Sequence, residues 1–234
     1  MLCGVVLAGL VAGGFAAVHS SLFGARHLSV SGDVHTSAQQ VLSAAGLLDH
    51  PPLVDIDPAL AAARVEALPW IKTARVTLHW PDSVGVSVVE RTAVAAVVMQ
   101  GTATPDRLWA LVDATGRVLA YQSIRPAGLV EIEVPAAPGS PGSHMAGPDQ
   151  PGVEVAASLP MTLAPRVEAI EVGTNGVTLA MSGGLSVVIG APVDLQSKYV
   201  ALASVLSGAP LSSGEVIDVS VPQEPTVGPG PSRR

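Results

Sequence analysis

Side chains that could do covalent or metal chemistry are few in this sequence, and they lack the spacing that such chemistry needs. None of the six histidines belongs to an H-E-x-x-H pattern or to a pair four residues apart. Ser197 and Lys198 could suggest a Ser/Lys dyad, but adjacent residues of a helix point to different faces. Neither a G-x-S-x-G motif nor a phosphate-binding glycine loop occurs. We therefore predict no enzymatic activity, no metal site, no cofactor and no small-molecule substrate.

The composition narrows the class of protein further. The net charge is −7, and the only two lysines, Lys72 and Lys198, are far apart. Without a basic cluster, nucleic-acid binding is not expected. Cys3 is the only cysteine and lies in the apolar start of the chain, so we predict no disulfide and no thiol chemistry.

An apolar run from Leu2 to Phe23 decides the expected compartment. Its 22 residues would form a helix of about 33 Å, enough to cross a hydrocarbon core of about 30 Å. We predict a transmembrane anchor over residues 1–25. A cleaved signal peptide is the alternative, but it would need a basic start, and no basic residue precedes Arg26. We expect the natural start, with a basic cytoplasmic tail, to lie upstream; the alternative is that the following domain dictates its own export.

The residues after the anchor predict a small unit of two helices and three strands. The first helix carries capping-box spacing at Thr36 and Gln39 and should end at Gly46. The second should begin at Asp57-Pro58, with an apolar stripe of Leu60, Ala63, Arg64 and Leu68. The strands are expected at 28–31, 74–80 and 84–90, which gives the order β-α-α-β-β. Two helices on one face of a three-stranded sheet would bury both apolar stripes. Trp70 and Trp80 are expected to pack near the junction of helices and sheet.

From residue 99 onward the patterns are mainly those of strands. A hairpin is predicted around Asp113–Gly116, and residues 135–151, rich in Pro and Gly, are expected to form a long surface loop. The other predicted elements are strands at 129–134, 167–172, 177–181, 185–189 and 216–221, and helices at 153–159 and 194–206. Beyond Pro222 the chain is too rich in Pro and Gly to be expected to pack.

A dozen short motifs in this order resemble one family. They include Val30-Ser-Gly32, Leu68-Pro-Trp-Ile71, Trp80-Pro81, Val89-Glu-Arg91, Leu111-Val-Asp113, Val188-Ile-Gly190 and Ile217-Asp-Val-Ser-Val-Pro222. The first unit resembles a POTRA domain, and residues 27–225 as a whole resemble the FtsQ/DivIB family of bacterial cell division proteins, in an actinobacterial version. The fold so implied is α+β: an anchor over 1–25, a POTRA domain over 26–98, a mostly antiparallel β domain with short helices over 99–222, and a disordered tail over 223–234.

The resemblance also implies a function, that of a scaffold of the divisome. Family members are single-pass type II proteins of the cell membrane at the division septum, with most of the chain outside the cytoplasm. They bind the division proteins FtsB and FtsL, and in some relatives FtsK, and they help to control septal peptidoglycan synthesis. The alternatives are another POTRA-containing secretion or assembly factor and a membrane-anchored cell-wall enzyme.

In this family a segment of FtsB adds to the last strand of the β domain. Carried over by position, this edge is Val216–Val221, with Pro222–Val227 beyond it, where Pro222 and Pro225 remove backbone donors. Ser220 and Val221 stand where some relatives have a basic and an aromatic residue. The partner-binding residues so implied are Val216, Ile217, Asp218, Val219, Ser220 and Val221, together with Lys198 and Tyr199. The alternative is that the apolar residues of this strand only form the inner face of a sheet.

Overall fold

The computed structural model describes residues 10, 13, 24–99, 107–208 and 210–230. The chain divides into two compact units, with the division between Arg91 and Thr92. No helix within these described stretches is long and apolar enough to span a bilayer. Most of the anchor predicted over residues 1–25 lies outside the described residues.

The N-terminal unit has the predicted order β-α-α-β-β. The elements are β1 (His27–Ser31), α1 (Ala38–Ala45), α2 (Pro58–Glu66), β2 (Ile71–His79) and β3 (Ser83–Glu90). Strand β3 lies in the centre of a three-stranded sheet, parallel to β1 and antiparallel to β2. The apolar residues of both helices and the sheet form one buried cluster. This is the architecture expected of a POTRA domain.

The ends of both helices are fixed by local hydrogen bonds. Helix α1 begins at a capping box made by Ser37 and Gln40, so the predicted box was displaced by one residue. The reason is that Thr36 is buried and donates its backbone N–H to the carboxylate of Glu90. Gly46 ends α1 in the left-handed region, with φ of 74°, as predicted. Asp57 caps α2 by accepting two backbone N–H bonds, also as predicted.

Two predictions about packing in this unit were wrong. Helix α2 buries Ala61 and Val65, whereas Leu60, part of the predicted apolar stripe, is about half exposed. Trp80, expected to pack, is 56% exposed because it lies in the turn after β2 and not on the inner face of the sheet. Trp70 does pack: its ring stacks on the ring of His35 with centroids 4.0 Å apart.

The C-terminal unit is a nine-stranded sheet with two helices. The strands are β4 (Ala93–Met99), β5 (Trp109–Asp113), β6 (Val118–Gln122), β7 (Val130–Val134), β8 (Val167–Gly173), β9 (Gly176–Met181), β10 (Leu185–Gly190), β11 (Glu215–Asp218) and β12 (Thr226–Pro229), and the helices are α3 (Gln150–Ser158) and α4 (Leu195–Gly208). Their order in the sheet is β12-β11-β10-β9-β8-β7-β4-β5-β6. Five pairings are antiparallel, and three are parallel, namely β4–β7, β7–β8 and β10–β11. Strand β4 pairs with β5 and β7 and so belongs to this unit, although the boundary was predicted after residue 98.

Helix α3 approaches the sheet closely because Gly152 has no side chain. A Cβ at this position would lie 2.6 Å from Cγ2 of Val172 and 3.0 Å from Cγ2 of Ile132. The neighbouring Val153 and Val155 are buried in the main core, together with Leu202 of α4. Small and branched residues thus set the spacing between helix and sheet.

Two segments predicted to be loop and tail are held by hydrogen bonds: the loop is fastened beside the sheet, and part of the tail belongs to it. In the stretch 135–151, Met145 is buried, and its N–H donates to the carbonyl oxygen of Gly116 at 2.8 Å. The tail predicted from residue 223 was wrong for Thr226–Pro229, which pairs with β11 as strand β12. Two β-branched residues at 226 and 227 favour an extended strand, and this outweighs the local abundance of Pro and Gly.

A candidate partner-binding edge

The strand predicted as the partner-binding edge is not at the edge of the sheet. Strand β11 covers Glu215–Asp218, and lies between β10, to which it is parallel, and β12, to which it is antiparallel. Ile217 is fully buried. Since both sides of β11 are already paired, the prediction that Val216–Val221 forms a free edge was wrong.

Strand β12 is the terminal strand of the sheet. Successive residues of a strand point their backbone N–H and C=O groups to opposite sides, so only every second residue of β12 can bind another chain. Gly230 donates its N–H to the carbonyl oxygen of Gly214 at 2.9 Å, so the even-numbered residues of β12 face β11. The N–H of Val219 donates to the carbonyl oxygen of Val188 in β10 at 3.0 Å, so the odd-numbered residues of β11 face β10 and the even-numbered ones face β12. The backbone N–H and C=O of Val227 therefore point away from the sheet.

Prolines flank this outward-facing position. Pro225 and Pro229 share the outward direction with Val227, and neither has an N–H to donate. Proline is tolerated at these positions because only an outward donor is lost, and the pairing with β11 is unaffected. Val227 is 45% exposed. It is thus the one residue of β12 that offers both an outward donor and an outward acceptor.

The opposite edge of the sheet, strand β6, is partly covered by the chain itself. Val118 donates its N–H to Ser143 at 2.9 Å and accepts from the N–H of Gly142 at 2.8 Å. The hydroxyl of Tyr121 donates to the carbonyl oxygen of Pro138 at 2.6 Å. Internal pairing of this kind protects an edge from other chains. Of the two edges, β12 is the better candidate for binding an extended segment.

A groove of about 370 Å³ lies between α4 and the loop that joins β11 to β12. Residues of α4 line one side, and Pro222 and Gln223 line the other. Val200 in the groove and Val221 at the start of the loop both expose more than half of their surface. The groove therefore offers apolar contact area next to the loop that leads into β12.

Lys198, a predicted partner-binding residue, is only 4% exposed. Its Nζ donates to the backbone carbonyl oxygens of Ile189 at 2.9 Å and Ala191 at 2.7 Å. Burial lowers the pKa of Lys198, and the negative charges of Asp194 and Asp218 oppose that change. The ammonium group thus fastens α4 to the end of β10.

Tyr199 is buried in the same way. Its hydroxyl donates to the carbonyl oxygen of Val155 in α3 at 3.1 Å, and also lies 3.1 Å from the hydroxyl of Ser158. Burial raises the pKa of Tyr199, while the hydrogen bond with Ser158 acts in the opposite direction. Tyr199 joins the two helices of this unit and so positions the exposed face of α4 beside the groove.

The eight predicted residues therefore fall into three groups. Ser220 and Val221 are exposed, Val216 and Asp218 are half-buried, and Ile217, Val219, Lys198 and Tyr199 are buried. Val227 was expected only as the end of a continuation beyond the edge, and Val200 was not predicted. The β-branched pair at 226 and 227, between two prolines, was the available signal for an edge strand.

The groups that the site presents are suited to binding. Within the part of the chain that the structure describes, no three His, Cys, Asp or Glu side chains come together in a way that could hold a metal ion. The available groups are backbone donors and acceptors at an edge, together with an apolar groove. Such an arrangement suits the addition of an extended segment from another chain.

Comparison with known proteins identifies the family. Residues 23–91 match the family described as "POTRA domain, FtsQ-type". The chain is 32% identical to a Cell division protein FtsQ of Streptomyces collinus, over 94% of this chain and 86% of that relative. It is 30% identical to the FtsQ proteins of Mycolicibacterium smegmatis and Mycobacteroides abscessus, over 93% and 95% of this chain. It spans 61% of the length of the first of these two and 68% of the second. These relatives come from Streptomyces and mycobacteria, which agrees with the resemblance to an actinobacterial version, and the chain belongs to the FtsQ family of cell division proteins.

Proposed function

We propose that this protein is a membrane-anchored scaffold of the divisome, which binds FtsB and FtsL and through them helps to control septal peptidoglycan synthesis. Its membership of a family of cell division proteins supports this role. In the proposal, residues 1–25 cross the cell membrane once, and both compact units lie outside the cytoplasm at the division septum. Binding of FtsK through the N-terminal unit is a further part of the proposal.

The observation that carries the proposal is the outward-facing backbone of Val227 at the terminal strand β12. A segment of FtsB would pair with this edge through main-chain hydrogen bonds. Because Pro225 and Pro229 limit the pairing to a short stretch, side-chain contacts must supply much of the affinity. The exposed Val200 in the groove and the exposed Val221, which precedes the groove residue Pro222, are suited to that role.

A matched pair of substitutions at Val227 tests the proposal. Val227→Pro removes the outward N–H and leaves the bonds to β11 in place, whereas Val227→Ala keeps the N–H and only shortens the side chain. The affinity of each full-length variant for the extracytoplasmic segment of FtsB would be measured by calorimetry in detergent. We expect Val227→Pro to weaken binding at least tenfold, by about 1.4 kcal/mol or more, and Val227→Ala to weaken it less.

Equal affinity of the two variants and the unsubstituted chain would contradict strand addition at β12. In cells, a fluorescent fusion of the full chain should form a band at the division site. An even signal over the membrane would count against the role in septation.

A further inference from the structure

The chain enters the N-terminal unit against the loop formed by residues 48–54. Gly24 forms an antiparallel β-bridge with Pro52. The N–H of Ala25 donates to the carbonyl oxygen of Pro51 at 3.0 Å. Gly24 and Ala25 are thus fixed to this loop.

The next two residues are held by a second loop, the turn of residues 80–82. The N–H groups of Arg26 and His27 both donate to the carbonyl oxygen of Asp82, at 2.8 and 3.1 Å. His27 also begins strand β1, which pairs with β3 from its first residue onward. The loop 48–54 and the turn 80–82 therefore lie at the same end of the unit, which we call the chain-entry end.

Apolar side chains are exposed at the chain-entry end. Trp80 is 56% exposed and Val54 is 44% exposed, and Leu48 is exposed to a similar degree. Tryptophan is enriched where a membrane meets water, because its ring is apolar and its N–H is polar. The two loops that hold the incoming chain thus carry side chains suited to a lipid headgroup layer.

The distance to the membrane follows from the covalent chain. Phe23, the last residue of the apolar run, is joined directly to Gly24, so their Cα atoms are about 3.8 Å apart. The headgroup layer on each side of a bilayer is about 5–7 Å thick. If residues 2–23 span the hydrocarbon core, Gly24 and the Pro52 beside it must lie within or next to the headgroups.

We propose that the chain-entry end rests on the outer surface of the membrane, with Trp80 and Val54 in the headgroup layer, so that the orientation of the N-terminal unit is fixed relative to the bilayer. The inference rests on the membrane anchor of the proposed function. Charges of both signs lie at this end, the positive Arg26 and the negative Asp49, Asp55 and Asp82, so attraction to anionic lipids is not the source of the contact. The contact is apolar, and it persists at an ionic strength of about 0.5 M.

Fluorescent labels on single cysteines test this placement in the full chain. In a Cys3→Ser background, which has no other cysteine, one variant each would carry Val54→Cys, Trp80→Cys or Val34→Cys. Val34 is the matched control, a valine that is 82% exposed and whose N–H binds Glu90 at the far end of the sheet. Strand β1 alone separates the two ends by about 13 Å. The labelled proteins would be reconstituted in phosphatidylcholine vesicles that contain a lipid with a nitroxide quencher near its headgroup.

We expect the labels at positions 54 and 80 to be quenched several-fold more strongly than the label at 34, with no change at high salt. Equal and weak quenching at all three positions, in protein that resists extraction by alkaline carbonate, would overturn the placement and leave the anchor intact. Release of the protein by carbonate would instead refute the anchor, and with it this inference. Labels that are unquenched in vesicles but protected from a water-soluble thiol reagent in cells would assign the patch to a protein partner and also overturn the proposal.

Discussion

Replacing Glu90 by glutamine tests how the segment before α1 is held to the end of β3. The carboxylate of Glu90 accepts the backbone N–H groups of Val34, His35 and Thr36 at 2.9–3.1 Å. Nδ1 of His35 lies 2.7 Å from the same carboxylate. Burial raises the pKa of Glu90, but the hydrogen bonds from Thr36, His35 and Val34 outweigh this and lower the pKa to about 2.

The lowered pKa of Glu90 sets how much its carboxylate stabilises the folded state and how that stabilisation depends on pH. The Glu90 side chain is only 8% exposed, so solvent screens these bonds little. A pKa that falls from 4.5 to about 2 on folding stabilises the folded state by up to about 3 kcal/mol at neutral pH. Because the folded-state pKa is the lower one, this stabilisation is present above pH 4.5 and is lost as the pH falls towards 2. At pH 3 about 1.5 kcal/mol should remain.

Urea denaturation of the full chain, followed through the unfolding transition of the N-terminal unit, measures the effect. Glu90→Gln should lower the free energy of unfolding by about 2–3 kcal/mol at pH 7, and the difference should roughly halve at pH 3. Glu66→Gln is the matched control, because among the described residues Glu66 accepts one N–H, that of Ala74, and one amide oxygen can replace its carboxylate there. Glu66→Gln should lower the free energy of unfolding by less than about 1 kcal/mol. Equal losses of stability in the two variants, or an effect at position 90 that is independent of pH, would contradict this role of the Glu90 carboxylate.

Three further substitutions test other contacts by the free energy of unfolding of the full chain. Gly152→Ala should destabilise the C-terminal unit by about 1–3 kcal/mol, because the new methyl would overlap Val172; an unchanged value would show that α3 shifts without cost. Lys198→Met should cost about 2–4 kcal/mol by leaving two carbonyl oxygens without a donor, and a neutral outcome would mean that water replaces the ammonium. Asp57→Ala should cost about 1 kcal/mol through loss of the cap of α2, whereas Asp57→Asn should cost less; equal losses would argue against capping.

Features determined by local chemistry could be predicted from the sequence. The start of α2 at Asp57-Pro58 and the end of α1 at Gly46 follow from residue types at fixed positions. In the hairpin after β5, Asp113 accepts N–H bonds from Thr115 and Arg117, as a turn residue at that position should. In each case the hydrogen-bond partners lie within a few residues.

Features determined by distant contacts could not be predicted in this way. The capping box lies at Ser37 and not at Thr36, because the N–H of Thr36 donates to Glu90, more than fifty residues away in the sequence. The buried carboxylate of Glu131 is paired with the guanidinium of Arg107 and accepts the indole N–H of Trp109 at 3.1 Å. No periodicity in the sequence indicates such pairs, because they depend on the order of strands in the sheet.

The candidate site shows the same limit. The Thr226-Val227 pair favours an extended strand, but four prolines from residue 222 onward suggested a tail. Whether a proline disrupts a strand depends on the direction in which its missing N–H would point. That direction is set by the register between β12 and β11, which the sequence alone does not contain.

Hydrogen exchange at single amides of β12 tests most directly whether this edge binds the partner. In the free chain the N–H of Val227 points outward and should exchange quickly, whereas that of Gly228 faces β11 and should be protected. On addition of the extracytoplasmic segment of FtsB, we expect exchange at Val227 to slow by at least about tenfold, with little change at Gly228. Unchanged exchange at Val227 in a complex shown to be saturated would contradict the binding of FtsB at the edge of β12.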